Sequence, residues 1–224
     1  MKTQFFKLFV ITLVISLVSC KKETPFTDYK YADKPETITC DNLDAKLLKE
    51  ALYTFEDDIV NHYDAQTKNL SRAYNRLLNE TLSNRLKYDD VISAHTANVF
   101  EAMKNNASLW NQGNAKSNLN YNSEILKCIV SNIKDNRLKS TFNALISTNS
   151  MSPALTGDAI KGAVGRLLND KYLATYVALE FYYAKLFDVD FTTINFEEPQ
   201  TNVDFNQKPP KEPETDPHAG HNHD

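Results

Sequence analysis

Three of the five histidines fall in the last seven residues: His218, His221 and His223, with Asp216 just before them and Asp224 at the end. Neutral imidazole is the commonest metal ligand, and it suits Zn²⁺, Cu²⁺ and Ni²⁺ alike. A short His-rich tract on a flexible chain could therefore wrap such an ion, at the entropic cost of ordering the tail. The same tract could equally do no more than solubilise the terminus. Cys40 and Cys128, 88 positions apart, are the second pair with chemistry in them. Outside the cytoplasm two thiols usually oxidise, and a bridge over that span would add roughly 4–5 kcal/mol in the chain-entropy model. Two buried free thiols are the alternative.

His95 lies on the apolar side of a stretch that carries Val91, Ile92, Val99, Phe100 and Met103. It is expected to be a core histidine bonded to a backbone carbonyl, with a metal ligand or catalytic base as the other reading. His62 falls near a helix end, where a cation favours the dipole. Glu56-Asp57-Asp58 sits late in a helix, and Asp89-Asp90 at a helix start, where acidic side chains stabilise the dipole. Neither run shows the Glu-x-x-His spacing of di-iron bundles. Gly-x-Ser-x-Gly, His-Glu-x-x-His, a phosphate loop, Cys-x-x-Cys and Cys-x-x-Cys-His are all absent. No catalytic residue, no covalent haem and no enzyme are expected.

The elements that must position these residues read as helices. Leu43, Leu47, Leu48, Ala51, Leu52, Phe55 and Ile59 recur at steps of one helix face, with Asp41 or Asn42 as the cap. Leu70 to Leu78 and Val91 to Met103 repeat the pattern. Ile125 to Ile133 begins another helix, which Leu138 to Ile146 continues or follows separately. Ala159 to Leu167 and an aromatic-rich stretch from Tyr172 to Phe187 complete the set. With five glycines in the chain and no strand-like alternation, the fold class is all-α, a bundle of about six to seven helices.

Two segments look alike: Arg76-Leu77-Leu78-Asn79-Glu80 and Arg166-Leu167-Leu168-Asn169-Asp170, preceded by Cys40 and Cys128 at 36 and 38 residues. Residues 40–104 and 123–188 are accordingly expected to be two related three-helix units sharing one core. The connector from Asn105 to Asn122 is rich in Asn, a turn and cap former. It holds the only Trp, Trp110, expected to pin the loop to the core, with an exposed aromatic for a sugar-like ligand as the alternative. Polar residues 20–39 read as a tether, 40–188 as the domain, and Pro-rich 189–224 as a tail too poor in apolar surface to fold alone.

The first 20 residues carry Lys2 and Lys7, then an almost unbroken apolar run of 11 residues from Leu8 to Val18, then Leu17-Val18-Ser19-Cys20. The run is shorter than the roughly 20 residues a spanning helix needs, and fits the apolar region of a signal peptide. Its end resembles the lipobox of bacterial lipoprotein signal peptides: an apolar residue at −3, a small one at −1, and Cys at +1. That resemblance implies removal of residues 1–19, thioether lipidation of Cys20 and acylation of its amine. Several acyl chains anchor durably where one does not. No Asp follows Cys20, as inner-membrane retention would require, and Lys21-Lys22-Glu23 looks like the charged export signals of some Gram-negative surface lipoproteins. The expected address is the cell envelope, on the outer membrane, at its periplasmic face or the cell surface.

Beyond residue 19 the chain has 23 basic residues against 29 acidic ones, a balance that repels phosphate backbones and argues against nucleic-acid binding. The expected partners are membrane lipid through the acyl anchor and an envelope protein or ligand. The leading expectation is a lipid-anchored, non-enzymatic helical binding or scaffold domain. The alternative is a metal-binding lipoprotein that collects Cu, Zn or Ni through its C-terminal tail.

Overall fold

The computed structural model describes residues 26–41 and 43–196. Residues 1–25 with Cys20, Asn42, and residues 197–224 with Asp216, His218, His221, His223 and Asp224 lie outside the described residues. Among the described residues the fold is all-α, a helical bundle with no strand.

Eight α-helices follow one another: α1 Ala45–Asp64, α2 Leu70–Leu82, α3 Ala94–Met103, α4 Glu124–Ser131, α5 Asn136–Ser147, α6 Pro153–Lys161, α7 Val164–Leu167 and α8 Lys171–Phe181. Three 3-10 turns, Tyr88–Asp90, Tyr183–Asp188 and Phe191–Thr193, link or end them. Seven helices start on a side chain that accepts a free backbone N–H: Asp44, Asn69, Ser93, Ser123, Asp135, Ser152 and Asp170. Each such cap is worth about 0.5–2 kcal/mol. The cap of α1 is thus Asp44, and not the expected Asp41 or Asn42. Asp44 Oδ1 accepts from Leu47 N at 2.9 Å.

α1 lies at the centre, packed by α2, α3 and α8. Its sequence explains this: Leu48, Leu52, Phe55 and Ile59 fill one side, while Lys49, Glu50, Glu56 and Asp58 on the others are also buried. α8 is the second central helix. It packs on α4 as well as α1, and its residues from Leu173 to Phe181 are all buried. The expected single helix Tyr172–Phe187 breaks at Tyr182, with no Pro or Gly to break it. Unwinding there lets the Tyr182 hydroxyl reach Asp58 at 2.6 Å and the Tyr183 hydroxyl reach Ala51 O at 3.0 Å. Tyr88 donates to the freed carbonyl of Phe181 at 2.9 Å. Tertiary hydrogen bonds inside a dry core outweigh local helix propensity here.

Residues 26–39 correct the expected tether. They form a clasp that runs over α1 and α3 and leaves Ile38 in the core. Polar contacts hold the clasp where apolar content is low. Glu50 accepts from Lys30 N at 2.7 Å and Tyr31 N at 3.0 Å, and buried Lys49 donates to Ala32 O at 2.9 Å, Lys34 O at 3.1 Å and Glu36 at 2.8 Å. The far boundary shifts too. Val189, Phe191, Ile194 and Phe196 pack on the core, with Phe191 stacked 5.8 Å from Phe100, so the folded body extends past 188.

The two halves do not repeat one helix pattern. Arg76–Glu80 lies inside α2, where Glu80 accepts from the Tyr63 hydroxyl at 2.7 Å. In the matching segment Arg166 and Leu167 end a one-turn helix, and Asp170 caps α8 while holding Lys134 N at 2.7 Å. α3 corresponds to no single helix in the second half.

Candidate functional site

A groove of about 650 Å³ opens between the start of the clasp, the N-terminus of α1 and α3. Leu47 forms part of its floor. The rings of Phe26 and Tyr29 meet edge to face at 4.9 Å along one wall, and Asp28, Asp44 and Glu101 stand around it. Each carboxylate already has a partner. Asp44 caps α1, Glu101 pairs with Lys104, and Asp28 faces His95 Nδ1 at 3.4 Å. Lys46 Nζ lies 4.1 Å from the Tyr29 ring centre, a cation–π contact.

His95 ties this groove to the core. Its Nε2 lies 2.7 Å from Glu50 Oε1 while Nδ1 faces Asp28, so the imidazole spans two carboxylates and touches no backbone carbonyl. This corrects the expected partner. The reason is Glu50, fully buried on α1 and in need of donors. It finds three: Lys30 N, Tyr31 N and His95. A protonated imidazole can donate to Glu50 and Asp28 at once, whereas a neutral one can donate to only one of them. Both ring nitrogens thus face carboxylates, and His95 links the clasp to α1.

Cys40 and Cys128 are joined by a disulfide, with Cα atoms 6.1 Å apart. It fastens the end of the clasp to α4. Beside it the Tyr172 hydroxyl meets the backbone of Thr39. His62 falls in the last turn of α1 and meets the Tyr63 ring edge-on at 4.5 Å. Burial pushes its pKa down, which favours the neutral form and weakens the dipole role expected of it. Trp110 is buried, donating from Nε1 to Met103 O at 2.7 Å and packing 5.4 Å from Phe187, so it pins the connector. Asp89 and Asp90 are exposed in a 3-10 turn.

Three more carboxylates are buried: Asp58 and Glu56, from the acidic run noted in the sequence, and Glu180, which had no sequence signal beyond sitting within an apolar helix. Asp58 Oδ2 accepts from Ser93 N at 3.1 Å, from the Tyr182 hydroxyl and from Thr96 Oγ1. Burial raises its pKa, and those hydrogen bonds pull it part of the way back. Glu56 accepts from the Tyr74 hydroxyl at 3.0 Å and from Lys171 at 2.9 Å. Glu180 is the third, and neither of its oxygens finds a donor.

No cluster of three or more His, Cys, Asp or Glu side chains able to hold a metal ion occurs among the described residues. No helix among them is long and apolar enough to cross a membrane. Comparison with protein-family models, curated proteins and solved structures finds no match to this chain.

Proposed function

We propose that this chain is an exported lipoprotein, held on the outer membrane by acyl chains on Cys20, that carries a non-enzymatic helical binding domain. The observation that carries this reading is the sequence Leu17-Val18-Ser19-Cys20 at the end of an 11-residue apolar run. The Cys40–Cys128 disulfide supports it, because such bonds persist in oxidising compartments. The groove beside the clasp is the binding surface this reading favours. Its paired aromatic rings offer a stacking face and its carboxylates a polar rim. The engagement of both His95 nitrogens supports binding over acid–base catalysis. Phe26, on the groove wall, follows Cys20 by six residues, a stretch that reaches about 20 Å at most. A ligand in the groove would therefore sit close to the bilayer.

Fractionation of cells that make the wild type or Cys20→Ser tests the anchor. The wild type should sediment with outer membrane and release only with detergent. Cys20→Ser should leave the membrane fraction, and its retention there would end the reading.

The C-terminal histidines favour a second reading, in which the tail collects Cu²⁺, Zn²⁺ or Ni²⁺ for an envelope partner. Titration of Cu²⁺ or Zn²⁺ into the protein with and without residues 216–224 separates the two. Metal uptake that survives deletion of the tail would sink this second reading.

A further inference from the structure

Glu180 sits on α8 beneath the connector that joins α3 to α4. The residue is wholly buried, and its Oε1 and Oε2 lack hydrogen-bond donors. The Tyr121 hydroxyl, also buried, has no partner either. The hydroxyls of Ser117, Tyr121 and Tyr176 face the carboxyl group and pull its pKa part of the way back down, though none reaches it with full hydrogen-bond geometry. Tyr176 is instead bonded to Thr156 at 3.1 Å. Tyr88 feels the carboxyl from the 3-10 turn before α3, and Lys185 is the cation that acts on it from the turn after α8. A buried carboxylate with so little compensation is among the most expensive groups a core can hold.

The segment over Glu180 is a long stretch without helix, closed by one antiparallel bridge between Trp110 and Leu119. The connector has no helix of its own. It folds back on itself through Asn111 N to Asn118 O at 2.7 Å and Asn120 N to Leu109 O at 2.8 Å, around an exposed turn where Gly113 takes φ +77°. Trp110, Ser117, Leu119 and Tyr121 are buried and hold it to the core, and Asn118 Nδ2 ties it to Ala184 O at 2.9 Å. The connector is held by side-chain anchors and lacks a helical backbone ladder, and such a segment opens at lower cost than a packed helix.

We infer that the connector is a lid that opens as Glu180 gives up its proton to water, letting solvent reach the carboxylate beneath Ser117 and Tyr121. While protonated, Glu180 can remain in the dry core under the closed loop. Once ionised, it is stable only when hydrated, and moving the connector, which carries Ser117 and Tyr121 beside the carboxyl, hydrates it without unpacking α1 or α8. Burial pushes the Glu180 pKa up from 4.5 to about 7 while the lid is closed, and opening restores the ordinary value. Opening therefore releases a proton, and it becomes easier as pH rises between those two values.

Hydrogen exchange on the full folded chain tests this at pH 5, 6, 7 and 8. After correction for intrinsic rates, protection of the Asn111 and Asn120 amides should fall about tenfold per pH unit between about 5 and 7, then level off. Amides in the middle of α1, which exchange through global unfolding, share that linkage and should stay better protected than the connector amides at every pH. Glu180→Gln should flatten the connector profile. Quenching of Trp110, the single Trp of the chain, by acrylamide should rise over the same interval in wild type only. A flat wild-type profile overturns the inference, as does the same slope in Glu180→Gln or connector protection as high as that of α1, which would mean that the loop opens only with global unfolding. The wild-type profile alone decides the matter if the variant does not fold.

Discussion

The Tyr182 hydroxyl donates to Asp58 Oδ2 at 2.6 Å, joining the end of α8 to the middle of α1 across 124 residues of sequence. The same oxygen accepts from Ser93 N and Thr96 Oγ1, so one buried carboxylate positions the start of α3 and the break after α8 together. Asp58→Ala would leave three buried donors without an acceptor and should cost about 3 kcal/mol, whereas Tyr182→Phe, which removes one donor, should cost about 1 kcal/mol. Urea unfolding of the two variants checks the order. An Asp58→Ala protein as stable as wild type would show that this junction does not hold the core.

The disulfide closes a loop of 88 residues between the clasp and α4. Reduction, or replacement of both Cys40 and Cys128 by Ser, should lower stability by about 4 kcal/mol in the chain-entropy model. Unfolding curves with and without reductant should differ for wild type and coincide for the double variant. Coincidence in both would mean that the bond is absent from the native protein.

The clasp depends on Glu50 as much as on Cys40. Glu50→Ala removes the acceptor of Lys30 N, Tyr31 N and His95, and should cost about 2–4 kcal/mol. His95→Ala leaves Glu50 buried with two of its three donors and should cost less. Limited proteolysis supplies an independent readout: both variants should be cut faster between residues 26 and 36 than wild type, with α1 still protected. Unchanged cleavage would place the hold on the clasp elsewhere.

Much of the architecture was written in the spacing of apolar residues. The faces of α1, α2 and α4 follow from Leu, Ile, Ala and Phe at helical steps, whereas the one cap read from sequence, Asp41 or Asn42, is Asp44 in the structure. The buried position of Trp110 was legible for a simple reason: an aromatic of that size gains most from the core. Glu50 and Glu180 were not legible, and neither were the burial and partners of Asp58, which stood out only as part of an acidic run. A carboxylate in an apolar helix reads the same whether it faces water or a partner 45 or 124 residues away. The clasp was misread as a tether for a related reason. Its hold comes from backbone groups bonded to Glu50 and Lys49, and composition carries no trace of such bonds. His95 was assigned the kind of environment it has, a helix side facing the core, but the wrong partner, because its partner is itself a buried charge.

Glu180 makes a prediction about overall stability that is separate from motion of the connector. A carboxyl held above its ordinary pKa keeps a proton in the folded chain that the unfolded chain has already lost. Stability from this group is therefore full below about pH 4.5, falls as pH rises toward about 7, and is flat beyond. Glu180→Gln should match wild type near pH 4.5 and exceed it at pH 8, by an amount on the order of 3 kcal/mol. Thermal melts at the two pH values give the comparison. A variant no more stable than wild type at pH 8 would show that the carboxylate is already hydrated in the native fold.

All of the proposed biology rests on the fate of the N-terminus, so the decisive measurement is intact mass and N-terminal peptide analysis of the protein purified with detergent from the cells that naturally make it. The account predicts a chain that starts at Cys20 and carries added mass equal to a diacylglycerol and an amide-linked fatty acid. A chain that still begins at Met1, or one that starts at Cys20 with an unmodified thiol, would contradict it.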